Sequence, residues 1–255
     1  MRIAIIGDVH GCYESLNELL NVLIKKFEIN SFYFVGDLID RGPYSKEVID
    51  TLLKLDYDKH FLLGNHEDMM LDFLDGELRY DNNLWFDNGG MPTLKSFLGC
   101  DFTKREGELL GCLGIRRYFD DYLHFLNDFK EYLVIKIGDK NFFISHAGIY
   151  NFNKPPEKQY DGLSDTQKLQ KHPYIWARNC DFSKKKYYDF IIIHGHTPLC
   201  SLGLTDNYKT PYINKNGKDI ISINLDTGCV YGYALSAMVI DENGDFSFES
   251  VDCAE

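Results

Sequence analysis

The sequence predicts an α/β fold in which two β-sheets and their flanking helices form a layered sandwich. Short apolar runs alternate with amphipathic helical patterns in the first third of the chain, as in βαβ units. Apolar runs follow one another without helical patterns in the last third, where Asn243-Gly244 favours a tight hairpin turn. The chain has 255 residues, 44% of them apolar, which is enough for a sizeable core.

Three strand-loop-helix repeats are predicted before residue 76. The predicted strands are the apolar runs 2–6, 32–35 and 60–63. Apolar residues at helical spacing predict a helix after each strand, through Leu16 and Leu23, from about Tyr44, and through Met69 and Leu74. This order predicts a largely parallel sheet whose polar loops gather at one edge, where ligands bind in open α/β sheets.

Residues 76–130 interrupt this alternation and are predicted to form a mainly helical insertion, with a helix over 117–129, inside a single domain of residues 1–255. The second half is predicted to contain a hairpin, a long polar surface loop over 151–173 and further strands. The predicted strands of this half are 131–137, 141–145, 190–193, 220–225, 233–240 and 246–251. The last three are expected to form a mainly antiparallel second sheet.

The composition argues against several classes of protein. The 27 basic and 39 acidic residues give a net charge of -12, whereas a non-specific nucleic-acid binder would be basic. The apolar runs are much shorter than the ~20 residues of a membrane-spanning helix. The seven cysteines form no Cys-x-x-Cys pair and no signal peptide precedes the first strand, so a cytoplasmic protein with reduced thiols is expected.

Five of the predicted strands end in polar motifs. These are Asp8-x-His10, Asp37-x-x-Asp40-Arg41, Asn65-His66-Glu67, His146 and His194-x-His196. Any one of them could be a solvated turn or a structural polar residue, but five at one sheet edge favour convergence on a ligand. Oxygen and imidazole ligands without cysteine suit Mn, Fe, Zn or Mg. Since there are more ligands than one ion needs, a two-metal site with a bridging carboxylate is favoured.

In this combination and order the motifs resemble those of the metallophosphoesterase superfamily. Within it they resemble the bacterial and phage branch of the phosphoprotein (serine/threonine) phosphatase family. They stand at 7–11, 36–42, 64–67, 146–148 and 195–197, and so cover most of the chain. Ala147 departs from the glycine that many members have. The resemblance implies a metallophosphoesterase-like four-layer sandwich, in which two mixed β-sheets are flanked by helices.

The resemblance also implies a role for each matching residue. Two divalent ions are implied, with Mn expected and Fe, Zn or Mg as alternatives. The implied metal ligands are Asp8, His10, Asp37, Asn65, His146 and His196. Asp37 would bridge the ions, and the nucleophile would be a bridging hydroxide, because two cations lower the pKa of a shared water. His194 is a less favoured ligand, with a buried strand-end histidine as the alternative.

The phosphate and its leaving group are expected to contact a second set of residues. His66 is implied as the general acid, and Asp40 would orient it. The implied phosphate-binding residues are Arg41, Asn65 and Arg178, although Arg178 could instead be an exposed loop arginine. The segment from Asp226 to Cys229 also resembles a family segment and is expected to form the rim of the site.

The expected activity is that of a protein-serine/threonine phosphatase acting on phosphorylated proteins or other phosphoesters. The alternative is a symmetrical bis(5'-nucleosyl)-tetraphosphatase, a diadenosine tetraphosphate hydrolase that shares the metal core. The pattern Trp85-x-x-Asn88-Gly89-Gly90-x-x-Thr93 favours the protein phosphatase. A catalytically silent phosphate binder is disfavoured because no implied ligand or acid is missing. The 76–130 insertion and the 151–173 loop are expected either to form the wall of the substrate groove or simply to pack.

Overall fold

The computed structural model describes residues 2–76, 84–101, 103–107, 115–164 and 172–255. The strands within this part of the chain are β1 (Ile3–Ile6), β2 (Ser31–Phe34), β3 (Asp58–Phe61), β4 (Tyr132–Ile137), β5 (Lys140–Ser145), β6 (Phe190–His194), β7 (Tyr212–Asn216), β8 (Asp219–Asn224), β9 (Ala234–Ile240) and β10 (Phe246–Asp252). They form two five-stranded sheets, with orders β10-β9-β1-β2-β3 and β4-β5-β6-β8-β7.

Helices connect the strands of the first sheet and make up most of the described part of the insertion. The α-helices are α1 (Tyr13–Phe27), α2 (Ser45–Lys54), α3 (Asn65–Asp75), α4 (Leu84–Asp87), α5 (Gly90–Leu98), α6 (Asp120–Asn127) and α7 (Leu199–Leu202). Short 3-10 turns occur at Ile115–Tyr118, Pro156–Lys158, Cys180–Phe182 and Cys229–Tyr231. Among the described helices, none combines the length and apolarity that crossing a membrane requires.

Both sheets are mixed, as expected. Strands β1, β2 and β3 run parallel to one another, while β9 and β10 are antiparallel to their neighbours. In the second sheet β5, β6 and β8 are parallel, and β4 and β7 are antiparallel edge strands. The predicted α/β sandwich of two mixed sheets with flanking helices is therefore confirmed. The single-domain boundary of 1–255 stays a prediction.

The expectation that the last strands build the second sheet is wrong. Only β7 and β8 join that sheet, whereas β9 and β10 return to the first sheet and β9 pairs with β1. All seven residues of β9 are buried, so this strand needs apolar cover on both faces. The place beside β1 provides it: Ala237 faces the helices that cover the first sheet, and Met238 faces the second sheet.

Several boundaries also differ from the prediction. The strand predicted at 60–63 lies at Asp58–Phe61, and the helix predicted at 117–129 is a 3-10 turn followed by α6. The described residues of the insertion are mainly helical, as predicted, but residues 77–83, 102 and 108–114 lie outside the described part. The loop predicted at 151–173 is described only up to residue 164 and from residue 172.

Alternation along the strands distributes side chains between three apolar clusters. Ile5 and Val35 of the first sheet meet Ile144 and Ile193 of the second, so these residues form the core between the sheets. The opposite face of the first sheet packs against α1 and α2. The outer face of the second sheet is covered by a third cluster that is rich in aromatic rings, including Phe143, Tyr174 and Tyr187.

The predicted polar motifs follow the carboxyl ends of β1, β2, β3, β5 and β6. Because β1 to β3 are mutually parallel, as are β5 and β6, the motifs gather at one edge of each sheet. Hydrogen bonds join the two edges: His146 Nδ1 donates to Val35 O at 3.0 Å, and His196 N donates to Asp8 Oδ2 at 2.9 Å. The two sheets therefore bring their loops to a common site.

Candidate metal and phosphate site

The site loops hold several residues in an unusual backbone conformation. Five non-glycine residues of the motifs have positive φ: His10 (49°), Asp37 (52°), Asp40 (72°), Arg41 (68°) and His196 (73°). A side chain in this region costs roughly 1–3 kcal/mol, so it persists only where surrounding contacts hold it. Backbone hydrogen bonds supply such contacts, since Asp37 O accepts from Val9 N at 3.0 Å and from His10 N at 2.8 Å.

Glu67 organises the second motif from the start of α3. Its buried carboxylate accepts hydrogen bonds from the backbone N–H groups of Asp37 (2.9 Å), Leu38 (2.7 Å) and Gly64 (3.0 Å). Burial and then the charge of Asp37 raise the pKa of Glu67 to about 7, whereas the hydrogen bonds from Leu38 and Asp37 favour its ionised form. Glu67 therefore fixes the loop that carries Asp37 and Asp40 to the loop that carries Asn65 and His66.

We expect Glu67→Gln to lower the free energy of unfolding by about 3 kcal/mol, because the amide keeps one acceptor oxygen and turns an N–H group toward backbone donors. Thermal and urea unfolding of the purified variant would measure this loss. Glu157→Gln, which changes an exposed carboxylate in the Pro156–Lys158 turn, is the matched control. Equal stability of the two variants would show that Glu67 does not hold the loops.

Asp37, Asn65, His146 and His196 form one group of converging atoms. Asp37 Oδ2 lies 3.2 Å from His146 Nε2, and Asn65 Oδ1 lies 3.0 Å from the same nitrogen. His196 Nδ1 lies 2.8 Å from Asn65 Oδ1 and 3.2 Å from His146 Nε2. His146 Nδ1 donates to the carbonyl of Val35 at 3.0 Å, so in the neutral ring the lone pair of Nε2 points at the other acceptors.

Asp8 and His10 lie on the other side of Asp37. His10 Nδ1 donates to the carbonyl of Ile39 at 2.9 Å, and its Nε2 lies 3.6 Å from Asp37 Oδ2. Asp8 Oδ1 is buried without a hydrogen-bond partner. The glycine of the last motif allows this approach, because a Cβ atom on Gly195 would overlap with Asp8 Oδ1. Asp37 thus stands between two sets of ligand-type side chains.

Burial and neighbouring charges favour the cation-binding protonation states of His10, His196 and Asp37. Burial, followed by the Arg41 charge, lowers the pKa of His10 well below its ordinary value. Burial and then His146 lower the pKa of His196 in the same way. Burial alone would raise the pKa of Asp37, but His146 and His66 outweigh it and hold that pKa well below its usual range. The shifts therefore favour the neutral form of His10 and His196 and the ionised form of Asp37.

His66 and Asp40 form a buried pair next to this cluster. His66 Nδ1 lies 2.7 Å from Asp40 Oδ2. Trp85 Nε1 donates to the same oxygen at 2.8 Å, and Thr93 Oγ1 donates to Asp40 Oδ1 at 2.6 Å. Burial would lower the pKa of His66, but the charges of Asp37 and Asp40 outweigh burial and raise it above its ordinary value. The two carboxylates therefore favour the protonated form of His66.

Two arginines lie beside the cluster around Asp37. Arg41 Nη1 lies 2.6 Å from His10 Nε2, and Arg41 Nη2 lies 2.9 Å from His66 Nε2. Arg178 is exposed and donates from Nη1 to Thr197 Oγ1 at 3.1 Å. Partial desolvation and then the charge of Arg41 lower the pKa of Arg178. The two guanidinium groups are therefore close enough to interact electrostatically. Paired guanidinium groups are suited to an anion with several oxygens.

His194 lies outside the converging group. It is buried, and its Nε2 atom lies 3.5 Å from Asp181 Oδ1. Among the described residues, the groups that could hold a metal at this edge are His10, Asp37 and His66, and Asp37, His146 and His196. The less favoured interpretation of His194 as a ligand therefore gains no support.

Sequence reasoning assigned no specific chemical role to four residues that shape the site. Glu67 and Asp226 were recognisable, because both lie in polar segments that follow a strand. Asp226 is buried with Oδ2 unpartnered; after burial itself, its charge is the next cause that raises the pKa of Asp8. Trp85 and Thr93 gave no such signal, since only the tertiary structure brings the insertion against Asp40.

Comparison with known proteins adds a family and two sets of relatives. The family model described as calcineurin-like phosphoesterase matches residues 1–222. The asymmetrical bis(5'-nucleosyl)-tetraphosphatase PrpE of Oceanobacillus iheyensis is 27% identical over 254 residues, which cover 93% of this chain and 88% of that protein. A symmetrical bis(5'-nucleosyl)-tetraphosphatase of Legionella pneumophila is 32% identical over 144 residues, which cover 56% of this chain and 43% of that protein.

The fold also resembles solved structures. A protein described provisionally as a diadenosine tetraphosphatase superposes with a TM-score of 0.56 at 22% identity, covering 98% of this chain and 93% of the other. Identity this low supports the fold and says nothing more about the substrate.

Proposed function

Because the chain belongs to the calcineurin-like phosphoesterase family, it is a metallophosphoesterase, and we propose that it hydrolyses bis(5'-nucleosyl)-tetraphosphates. The proposed substrate class rests on one observation, the 27% identity to an asymmetrical bis(5'-nucleosyl)-tetraphosphatase over 93% of this chain. This relative favours a bis(5'-nucleosyl)-tetraphosphatase over the phosphoprotein phosphatase that was expected first, although it is the asymmetrical type and the alternative named from the sequence was the symmetrical one.

The pattern that favoured a protein phosphatase has another explanation in the site itself. Trp85 and Thr93 bind Asp40, and Gly89 O accepts a hydrogen bond from Arg41 N at 3.0 Å. These residues therefore serve the proton donor and the arginine, whichever phosphoester is bound. The pattern does not discriminate between a phosphoprotein and a dinucleotide.

The residues present fit two divalent cations. Asp8 Oδ1 and His196 Nε2 are buried without a hydrogen-bond partner, and several acceptor atoms converge on Asp37 without a donor between them. Asp8, His10 and Asp37 would hold one cation, and Asp37, Asn65, His146 and His196 the other. The donor set suits Mn, the expected metal, and equally Fe, Zn or Mg. When bound, the cations would supply a water of lowered pKa and offset phosphate charge.

The remaining roles belong to side chains beside that cluster. Arg41 and Arg178 would bind the oxygens of the phosphate under attack and offset the charge that grows on them. Asn65, at the start of α3, would also contact the phosphate. His66 would hold a proton toward the departing oxygen, with Asp40 fixing its ring, because the raised pKa of His66 keeps that proton available.

Diadenosine tetraphosphate is the test substrate. We expect chelator-stripped protein to be inactive and added Mn²⁺ to restore cleavage, with ATP and AMP as products, because the asymmetrical relative covers more of this chain than the symmetrical one. Separation of the nucleotides by anion exchange would identify the products, and ADP alone would indicate symmetrical cleavage. Turnover of a phosphopeptide without turnover of the dinucleotide would reject the proposal and restore the protein phosphatase.

A further inference from the structure

A groove of about 570 Å³ opens beside Arg41, between the start of α2 and α5. Its walls include Arg41, Pro43, Tyr44, Met91, Pro92 and Lys95. This volume falls within the range of small-molecule sites, roughly 300–1,000 Å³. We propose that the groove binds the nucleoside at one end of a dinucleoside polyphosphate, an inference that rests on the function proposed above.

Arg41 connects the groove to the reaction site. Its guanidinium nitrogens lie 2.6 Å from His10 and 2.9 Å from His66, while the residue also lines the groove. Its backbone is pinned to the insertion, because Arg41 N donates to Gly89 O at 3.0 Å. A phosphate bound by the guanidinium would therefore have the rest of the molecule directed along the same residue into the groove.

The groove is preformed because hydrogen bonds join its two walls. Ser45 Oγ and Thr93 Oγ1 lie 2.9 Å apart, and Lys46 N donates to Ser96 Oγ at 2.9 Å. Ser96 Oγ in turn donates to Glu47 Oε2 at 3.0 Å. These contacts bind the insertion helix α5 to α2. A preformed site loses less conformational entropy when it takes up a rigid ligand.

The lining suits an uncharged aromatic ring. Tyr44 is 41% exposed and lines a groove that also holds the thioether of Met91 and two proline rings. Aromatic faces and thioethers both pack well against nucleobases, which offer a π-face whatever their identity. This combination matches the adenine of a dinucleotide, whereas a phosphopeptide would bring a flexible backbone with polar groups to satisfy.

The charged residues that line the groove also favour a neutral ligand. Lys95 of α5 forms an exposed ion pair with Asp101 at 2.6 Å, and Glu47 lines the groove from α2. Acidic groups thus accompany the lysine, so the groove offers little net attraction for further phosphates. The polyphosphate would remain at Arg41 and Arg178, and the neutral nucleoside would occupy the groove.

The test compares two substrates, because p-nitrophenyl phosphate has no nucleoside. We expect Tyr44→Ala to lower the ratio of kcat/KM for diadenosine tetraphosphate to that for p-nitrophenyl phosphate about tenfold, mainly through KM. Tyr44→Phe keeps the ring and should keep the ratio. Tyr118→Ala removes an exposed aromatic ring elsewhere and should also leave the ratio at the wild-type value.

Tyr44 also packs against Tyr13 at a centroid distance of 6.3 Å, and Tyr44→Ala removes this contact as well. A second variant therefore distinguishes loss of nucleoside binding from loss of local structure. Lys95→Glu changes a side chain that is 61% exposed and should lower the same ratio, because it adds negative charge next to the dinucleotide. The tyrosine and lysine variants approach the groove from α2 and α5 respectively, so a common effect identifies the groove between them.

Each outcome decides between the two proposals. If the wild-type protein cleaves diadenosine tetraphosphate and both groove variants keep its ratio, the nucleoside site is wrong and the proposed function stands. If Tyr44→Ala instead impairs only a phosphopeptide, the groove binds peptide and the inference is equally overturned. A metal-loaded wild-type protein that hydrolyses p-nitrophenyl phosphate but not the dinucleotide overturns the proposed function, and the nucleoside site with it.

Discussion

Asp37→Asn is expected to lower kcat/KM for any phosphoester about a thousandfold. Within the described part of the chain, Asp37 is the carboxylate that stands between the two sets of ligand-type side chains, with Oδ2 at 3.2 Å from His146 Nε2 and 3.6 Å from His10 Nε2. Metal ions supply several kcal/mol of transition-state stabilisation, and each 1.36 kcal/mol is a factor of about ten in rate. Weakening both cation sites at once therefore has a large effect.

The substitution is nearly isosteric and isolates the charge. The new amide would retain an acceptor oxygen for the backbone N–H of His66, which donates to Asp37 Oδ1 at 3.1 Å in the native protein. The variant should therefore fold, while its affinity for Mn²⁺ falls. Calorimetric metal titration and kinetics at saturating Mn²⁺ would measure both effects.

Asp139→Asn is the control, because Asp139 is an exposed carboxylate in the turn between β4 and β5. It should match the wild-type protein in rate and metal content. Wild-type activity in Asp37→Asn, with two equivalents of metal still bound, would show that this carboxylate does not bridge a dinuclear centre.

His66→Gln is expected to lower kcat for diadenosine tetraphosphate about a hundredfold. Proton donation by a positioned side chain contributes roughly 10²–10⁴-fold. The lower end applies here because the leaving group is itself a nucleotide phosphate, which departs with little help from a proton. Glutamine can keep the hydrogen bond to Asp40, which the native ring makes at 2.7 Å, so the pocket around Trp85 and Thr93 should remain intact.

A series of aryl phosphates separates proton donation from simple binding. The wild-type rate should depend weakly on the acidity of the leaving phenol, because His66 supplies the proton. The rate of His66→Gln should fall steeply as the phenol becomes less acidic. His124→Gln, at an exposed position of α6, is the control, and parallel dependences for His66→Gln and the wild-type protein would exclude His66 as the acid.

Much of this protein was readable from local patterns. Strand-loop-helix repeats predicted the parallel half of the first sheet, since each pattern involves residues close in sequence. The motif residues were predictable for the same reason: a polar loop after a parallel strand lies at a known edge of the sheet. The residues that do gather there are Asp8, His10, Asp37, Asn65, His66, His146 and His196.

Long-range pairing was the part that local patterns could not predict. Strand β9 is an apolar run that could pair with any neighbour, and it joins β1 across most of the chain because that place covers both of its faces. The helix predicted at 117–129 is likewise divided into a 3-10 turn and α6.

The sequence by itself determined the metallophosphoesterase superfamily, the sheet edge that carries the site and the residue types that converge on it, because all three depend on short motifs that follow strands. The tertiary structure alone decided what supports and borders those residues. Trp85 and Thr93 reach Asp40, Glu67 joins two loops, and α5 meets α2 beside Arg41. Such contacts depend on how segments that are distant in sequence pack together, which cannot be predicted from residue spacing along the chain.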